Sequence, residues 1–150
     1  MNLMRERDPS RQRGFSLSET VVAMSIAGII SLTAMPTTSG YLRQYRLVGT
    51  TNQIAFDIAR ARMQAVGQNL FVRIRFTDAG HYIRERSTDG VTYVADDVSA
   101  VLPTGITAPT APTTTFNRNG VAAAATTVNV TDGKITKTID TNILGRVAIS

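Results

Sequence analysis

The chain has no cysteine, and its 150 residues include a single histidine, His81. Without cysteine there is no disulfide, no thiolate nucleophile and no thiolate-bound metal, so the fold must hold by packing alone. The lone histidine follows a turn glycine, the position of a solvated strand start rather than of a catalyst. No Gly-x-Ser-x-Gly, phosphate-cradling glycine loop or two-histidine metal spacing accompanies it. Asp96-Asp97 offers two adjacent carboxylates without further oxygen ligands, the composition of a polar loop rather than of a cation site. These absences argue against an enzyme and imply neither a metal nor a cofactor. No internal repeat is visible.

Charge is also missing, and over a long stretch. Between Arg13 and Arg43 the only charged side chain is Glu19. Residues 15–35 hold 13 apolar residues, one glycine, six Ser or Thr, and Glu19. As a helix they extend about 31 Å, the hydrocarbon thickness of a bilayer. The run exceeds the apolar region of a secretory signal, typically about 7–15 residues. Four arginines precede it against Glu6 and Asp8, and such a basic leader stays on the cytoplasmic side, which sends residues 43 onward across the membrane. About 100 residues then remain for one small domain. The formal net charge of +5 says little by itself about nucleic acid.

Glu19 has a local reason to exist. Ser16-Leu17-Ser18-Glu19 fits the S-x-x-E capping box, in which the two side chains satisfy free backbone donors at a helix start. A carboxylate inside an apolar segment nevertheless costs on the order of 3 kcal/mol at mid-membrane, less near the interface, so a partner is expected.

The basic leader, Gly14-Phe15-Ser16-Leu17-Ser18-Glu19 and the apolar run together closely resemble the class III signal of type IV pilins and pseudopilins. That resemblance implies cleavage between Gly14 and Phe15 by a prepilin peptidase, N-methylation of Phe15, a single-pass inner-membrane anchor with a periplasmic domain, and assembly with other pilins or pseudopilins. Glu19 would become the fifth residue of the mature chain. Its carboxylate could then be neutralised by the terminal amine of a neighbouring subunit in a low-dielectric filament core. Gly28 and Pro36 stand where such pilins carry helix breakers, and Pro36 lacks a backbone donor, so a kink is expected there.

The remaining chain reads as α+β. The domain organisation expected is a leader at 1–14, a transmembrane or filament-core helix at 15–36, an amphipathic helical region at 37–68 and an antiparallel β domain at 69–150. Ile54, Ile58, Ala61 and Ala65 recur at helical spacing, predicting a helix from about 52 to 66 that ends near Gly67 and packs one face on a sheet. Gly40 and Gly49 are expected to loosen its join to the first helix. Beyond Asn69 the period becomes two. "LFVRIRF" and "HYIRERS" flank Thr77-Asp78-Ala79-Gly80, "VTYVA" follows Thr88-Asp89-Gly90, and "TVNV" and "KITKTI" flank Thr131-Asp132-Gly133, which are hairpin signatures. Residues 103–115, rich in proline and threonine, read as an exposed loop.

This order resembles the H-type minor pseudopilins of type II secretion and related minor pilins. The likeness is carried by "FDIARARMQAV", the hairpins, "FNRNG" (Phe116 to Gly120) and the closing "GRVAIS". With Thr77–Gly80 as the turn, Arg75 would pair with Tyr82, Arg73 with Arg84 and Phe71 with Arg86. Four arginines and two aromatics would share one face, a candidate surface for an acidic neighbour or a nucleic-acid backbone. The resemblance extends to minor pilins that bind DNA in part through a C-terminal Gly-Arg-x-Arg. Here that segment is Gly145-Arg146-Val147-Ala148, without the second arginine.

Overall fold

The computed structural model describes residues 15–108 and 112–150, the side chains at 32–39 and 97–98 excepted. The leader, with Gly14, the Pro36 side chain and residues 109–111 of the Pro/Thr-rich segment therefore lie outside the described residues. The chain divides into two units, Met1–Ser39 and Gly40–Ser150. Helix α1 is assigned over Leu17–Gln68 and so contributes to both.

In the first unit the apolar side chains of α1 are exposed: Leu17, Val21, Val22, Met24, Ile26, Ile29 and Ile30 are all more than half accessible. Among the described residues no helix is long and apolar enough to cross a membrane. Ser18, Glu19, Thr20, Ser25, Gly28 and Ser31 lie among these apolar side chains. Their hydroxyls are not left open, however. Thr20 donates to the Ser16 carbonyl, Ser25 to that of Val21 and Ser31 to that of Ala27, satisfying polar groups within the helix itself.

The second unit lays α1 on two antiparallel sheets. Strands β1 (Phe71–Asp78), β2 (His81–Ser87), β3 (Val94–Val101) and β4 (Thr114–Phe116) form the first, in order β3-β2-β1-β4. Strands β5 (Thr126–Thr131), β6 (Thr136–Thr141) and β7 (Val147–Ile149) form the second, in order β5-β6-β7. Ile54, Ile58, Ala61 and Ala65 are completely buried, as their spacing predicted, and meet Val72, Ile74 and Phe116 of the first sheet and Val128, Val130 and Ile139 of the second.

Within the second unit α1 does not loosen at Gly49, where it stays helical. Leu47, one turn before the buried Thr51 and two turns before Ile54, is also buried. A mid-helix glycine costs about 1 kcal/mol, whereas burying Leu47 and Ile54 returns roughly 1.5–3 kcal/mol each, so packing carries the helix through. The C-terminus falls at Gln68 rather than Gly67. Asn69 takes the left-handed conformation (φ 54°), its N–H bonds the Val66 carbonyl, and the Leu70 N–H reaches back to Ala65, the two bonds of a Schellman cap.

Two further expectations are corrected. The third strand begins at Val94, because Asp89 ties the preceding residues into turns: its Oδ1 accepts from Val91 and Thr92 N–H and from the Ser87 hydroxyl. The segment 103–115 is not simply exposed where it is described. Ile106 and Ala108 are buried, Ala108 N–H donates to the Ala79 carbonyl, and Thr107 bridges to Thr131. Ile106 and Ala108 anchor this part of the segment between hairpin and second sheet.

Candidate functional site

Three groups of residues were singled out or emerge. The first is the start of α1. Ser16 is the N-cap, and the Thr20 N–H bonds its carbonyl at 3.1 Å. The Ser16 hydroxyl accepts from the Glu19 N–H at 3.3 Å while Glu19 Oε2 accepts from the Ser16 N–H at 3.4 Å. The capping box is thus closed in both directions, and the carboxylate stands against free N–H groups at the positive end of the helix. Phe15 precedes it, 85% exposed.

The second is the arginine hairpin, where the register differs from expectation. Arg73 stands opposite Glu85, Arg75 opposite Ile83, Ile74 opposite Arg84 and Val72 opposite Arg86. An irregularity between Phe76 and Asp78 shifts the pairing by one residue, and a one-residue shift moves one strand's side chains to the other face. The four arginines and Tyr82 therefore do not form one patch. Arg73 and Arg75 share one face with Glu85, and Arg84, Arg86 and Tyr82 belong to the other.

On the first face the buried Glu85 is clasped by both arginines: Arg75 reaches Oε1 at 2.7 Å and Arg73 bonds Oε2. The Arg75 hydrogen bond, with Arg73 adding to it, holds the Glu85 carboxyl below the usual range against the opposing effect of burial. Arg73 also lies 3.9 Å from the centre of the Tyr93 ring. On the helix side, the Tyr82 hydroxyl donates to Asp57 Oδ2 at 2.6 Å, and burial followed by that carboxylate pushes the phenol well above its ordinary pKa. Arg84 is buried and paired with Asp96 at 2.8 Å. Asp96 accepts from Gln64 as well. It belongs to β3, not to a polar loop, and joins sheet to helix. His81 is exposed beside Asp78, as a solvated strand start should be.

The third group joins two short motifs of the sequence to a helix arginine that sequence reading did not connect with them. Two turns share the sequence Asn-x-x-Gly: Asn117-Arg118-Asn119-Gly120 and Asn142-Ile143-Leu144-Gly145. In each the glycine N–H bonds the Asn carbonyl, the Asn N–H bonds the carbonyl of the residue after the glycine, and that residue's N–H bonds the Asn side chain. Both glycines are left-handed, at φ 73° and 74°. Both close on Arg62 of α1, whose Nε donates to the Gly120 carbonyl at 3.0 Å. A Cβ on Gly145 would lie 2.7 Å from Arg62 Nε, and one on Gly120 would lie 2.8 Å from a Val66 methyl. The resemblance motifs "FNRNG" and "GR" are therefore places where the backbone must approach a helix arginine. The repeat of Asn three residues before Gly was the available signal.

Among the described residues no group of three or more His, Cys, Asp or Glu could hold a metal ion. A continuous helix packed on antiparallel hairpins, preceded by an S-x-x-E cap after Phe15, defines the pilin-like class. The comparisons agree. The chain belongs to the Type II transport protein GspH family, whose profile matches residues 50–145, and residues 9–35 match the prokaryotic N-terminal methylation motif. Crystal structures of the type IV minor pilin FimU from Pseudomonas aeruginosa (strain PAO1) share the fold. One in space group P65 matches with a TM-score of 0.58 at 16% identity, over 69% of this chain and 92% of that one. One in space group P21 matches with a TM-score of 0.60 at 14% identity, over 73% and 92%. No curated protein matches the chain.

Proposed function

We propose that the chain is a minor pseudopilin: inserted in the inner membrane with a cytoplasmic leader, cleaved between Gly14 and Phe15 by a prepilin peptidase, methylated on Phe15, and assembled into the periplasmic pseudopilus of a type II secretion system. The observation that carries this reading is the joining, in one chain, of the methylation motif at 9–35 to the GspH domain at 50–145. The first segment supplies processing and a helix with its apolar side chains uncovered; the second supplies a folded head. Glu19 has two successive roles. It caps the helix in the chain as described, and after cleavage the new ammonium of a neighbouring subunit becomes its charge partner in the filament core. Gly28 and Pro36 stand at the helix-breaker positions of that segment.

A second reading, a minor pilin of a type IV pilus, is supported by the fold shared with FimU. Deletion in the source organism separates the two: loss of protein secretion with piliation intact supports the first, loss of piliation with secretion intact the second. The shared part of both readings is tested by intact mass and N-terminal sequencing of membrane-extracted protein, coexpressed with and without a prepilin peptidase. A chain starting at methylated Phe15 only with the peptidase is expected. A chain starting at Met1 in both cases would leave an unprocessed anchored domain and overturn both readings.

A further inference from the structure

The two Asn-x-x-Gly turns have the same backbone hydrogen bonds but opposite tips. In the first the tip is Arg118-Asn119, the polar composition expected of an exposed turn. In the second it is Ile143-Leu144, 58% and 71% exposed. Branched apolar residues at a solvent-facing turn tip gain nothing from local conformation, and the sister turn shows that the same fold accommodates a polar pair. The polar sister turn is the one that packs on the helix side chain Val66, through Gly120. The tip is also held firmly. The Asn142 side chain bonds the Arg146 N–H, the Ile143 carbonyl accepts from the Ala122 N–H, and Gly145 is seated against Arg62 and Gly120. A rigid apolar projection loses little conformational freedom when it is bound.

We infer that the Ile143-Leu144 tip is an anchor that inserts into an apolar pocket with an acidic margin on the head of a different pilin-like subunit. The charge around it selects that partner. Arg62 lies under the turn and the exposed Arg146 follows it, while residues 141–150 contain no Asp or Glu. A second copy of this chain, still with 12 Lys and Arg against 9 Asp and Glu once residues 1–14 are removed, is the wrong complement. The fully buried centre of a contact is apolar and its rim polar, and arginine is among the residues that carry most interface energy, the arrangement this tip and its arginines would supply. This inference rests on the assembly reading above and adds a contact made by the head rather than by the N-terminal helix.

The test uses the full chain, coexpressed with prepilin peptidase and the other pilin-like subunits of its system. A photo-crosslinking amino acid is placed at Leu144 and, as control, at Asn119. Crosslinking from 144 and not from 119 to a different pilin-like subunit, identified by mass spectrometry, is expected. Crosslinks from 144 only to lipid or only to a second copy of this chain, or none in assembled filaments, would overturn the inference. The double variant Ile143→Arg, Leu144→Asn copies the sister turn and so keeps a fold the chain already uses. It should be cleaved normally and melt at an unchanged temperature, yet enter filaments about tenfold less. Undiminished incorporation would overturn the anchor while leaving assembly intact. If the unaltered chain is neither cleaved nor incorporated, the assembly reading itself fails, and the anchor with it.

Discussion

At the scale of single residues, the consequential positions are those where one atom more, or one charge less, has nowhere to go. Gly145 requires a left-handed backbone and leaves no room for a Cβ beside Arg62. Gly133 is also left-handed, at φ 85°, but would meet nothing within 4 Å. Gly133→Ala should therefore cost about 1 kcal/mol, the conformational strain alone. Gly145→Ala should cost about 3 kcal/mol or more, because backbone or Arg62 must also move. Thermal unfolding of the two variants side by side measures the difference, and equal melting temperatures would refute the close approach. Glu85 makes a prediction about pH. Its carboxyl is held below the ordinary glutamate range by Arg75 and Arg73, so the unfolded chain binds its proton first as pH falls. The stabilisation is fully present above about pH 5 and is lost progressively as pH drops through about 4 and below. Urea midpoints across that range should decline in the unaltered protein. In Glu85→Gln they should start about 2 kcal/mol lower and decline less steeply.

At the scale of elements, α1 carries different duties along its length. Its first turn is capped by Ser16 and Glu19, and its last by Asn69. Glu19→Ala opens the capping box, at a cost of about 1 kcal/mol to the local helix. On the proposed function it also removes the partner of the neighbouring amine. Cleavage at Gly14-Phe15 should persist while filament incorporation falls sharply, as read by immunoblot of sheared filaments; normal incorporation would defeat the charge-pair role and leave the cap as the whole explanation. Farther along, Asp57 receives Tyr82, Arg62 receives the two glycine turns and Gln64 reaches Asp96. Three polar side chains along the helix thus fix hairpin, strand β3 and C-terminal turns upon it, where the apolar stripe alone would tolerate sliding. Tyr82→Phe should lower stability by about 1 kcal/mol at neutral pH. Because the folded phenol is held protonated, the unaltered protein should lose stability as pH rises above about 10, where the unfolded tyrosine ionises first. The phenylalanine variant should lose less over the same range, in urea titrations at pH 9 and 11.

At the scale of the whole molecule, the question is what the surface can bind. The arginines read as one basic face are divided, with Arg73 and Arg75 committed to Glu85 and Arg84 to Asp96. Arg73→Ala and Arg75→Ala should accordingly leave any DNA affinity and its salt dependence unmoved, measured by fluorescence anisotropy between 50 and 200 mM salt. A loss of about one unit in the salt slope for either would return the hairpin to consideration as a phosphate contact.

The helix stripe, the capping box and the antiparallel hairpins were legible in the chain because each depends on neighbours within a turn or two: Ile54 to Ala65 at helical spacing, Ser16 to Glu19, alternation through 71–76. The end of α1 was misplaced by two residues, since a glycine and an asparagine both suit a left-handed cap and only the bond from Leu70 to Ala65 decides between them. The hairpin face was misassigned because a single irregularity at 77 changes which side chains meet, and no local pattern announces it. The two Asn-x-x-Gly turns carried a readable repeat, but their meeting at Arg62 did not, since Arg62, Gly120 and Gly145 lie 25 or more residues apart and are joined only through the fold. The sequence by itself determined the class of protein, through short-range chemistry that needs no partner. Which charges neutralise one another, and which apolar residues stay exposed, were decided only by tertiary structure, because both depend on contacts between segments remote along the chain.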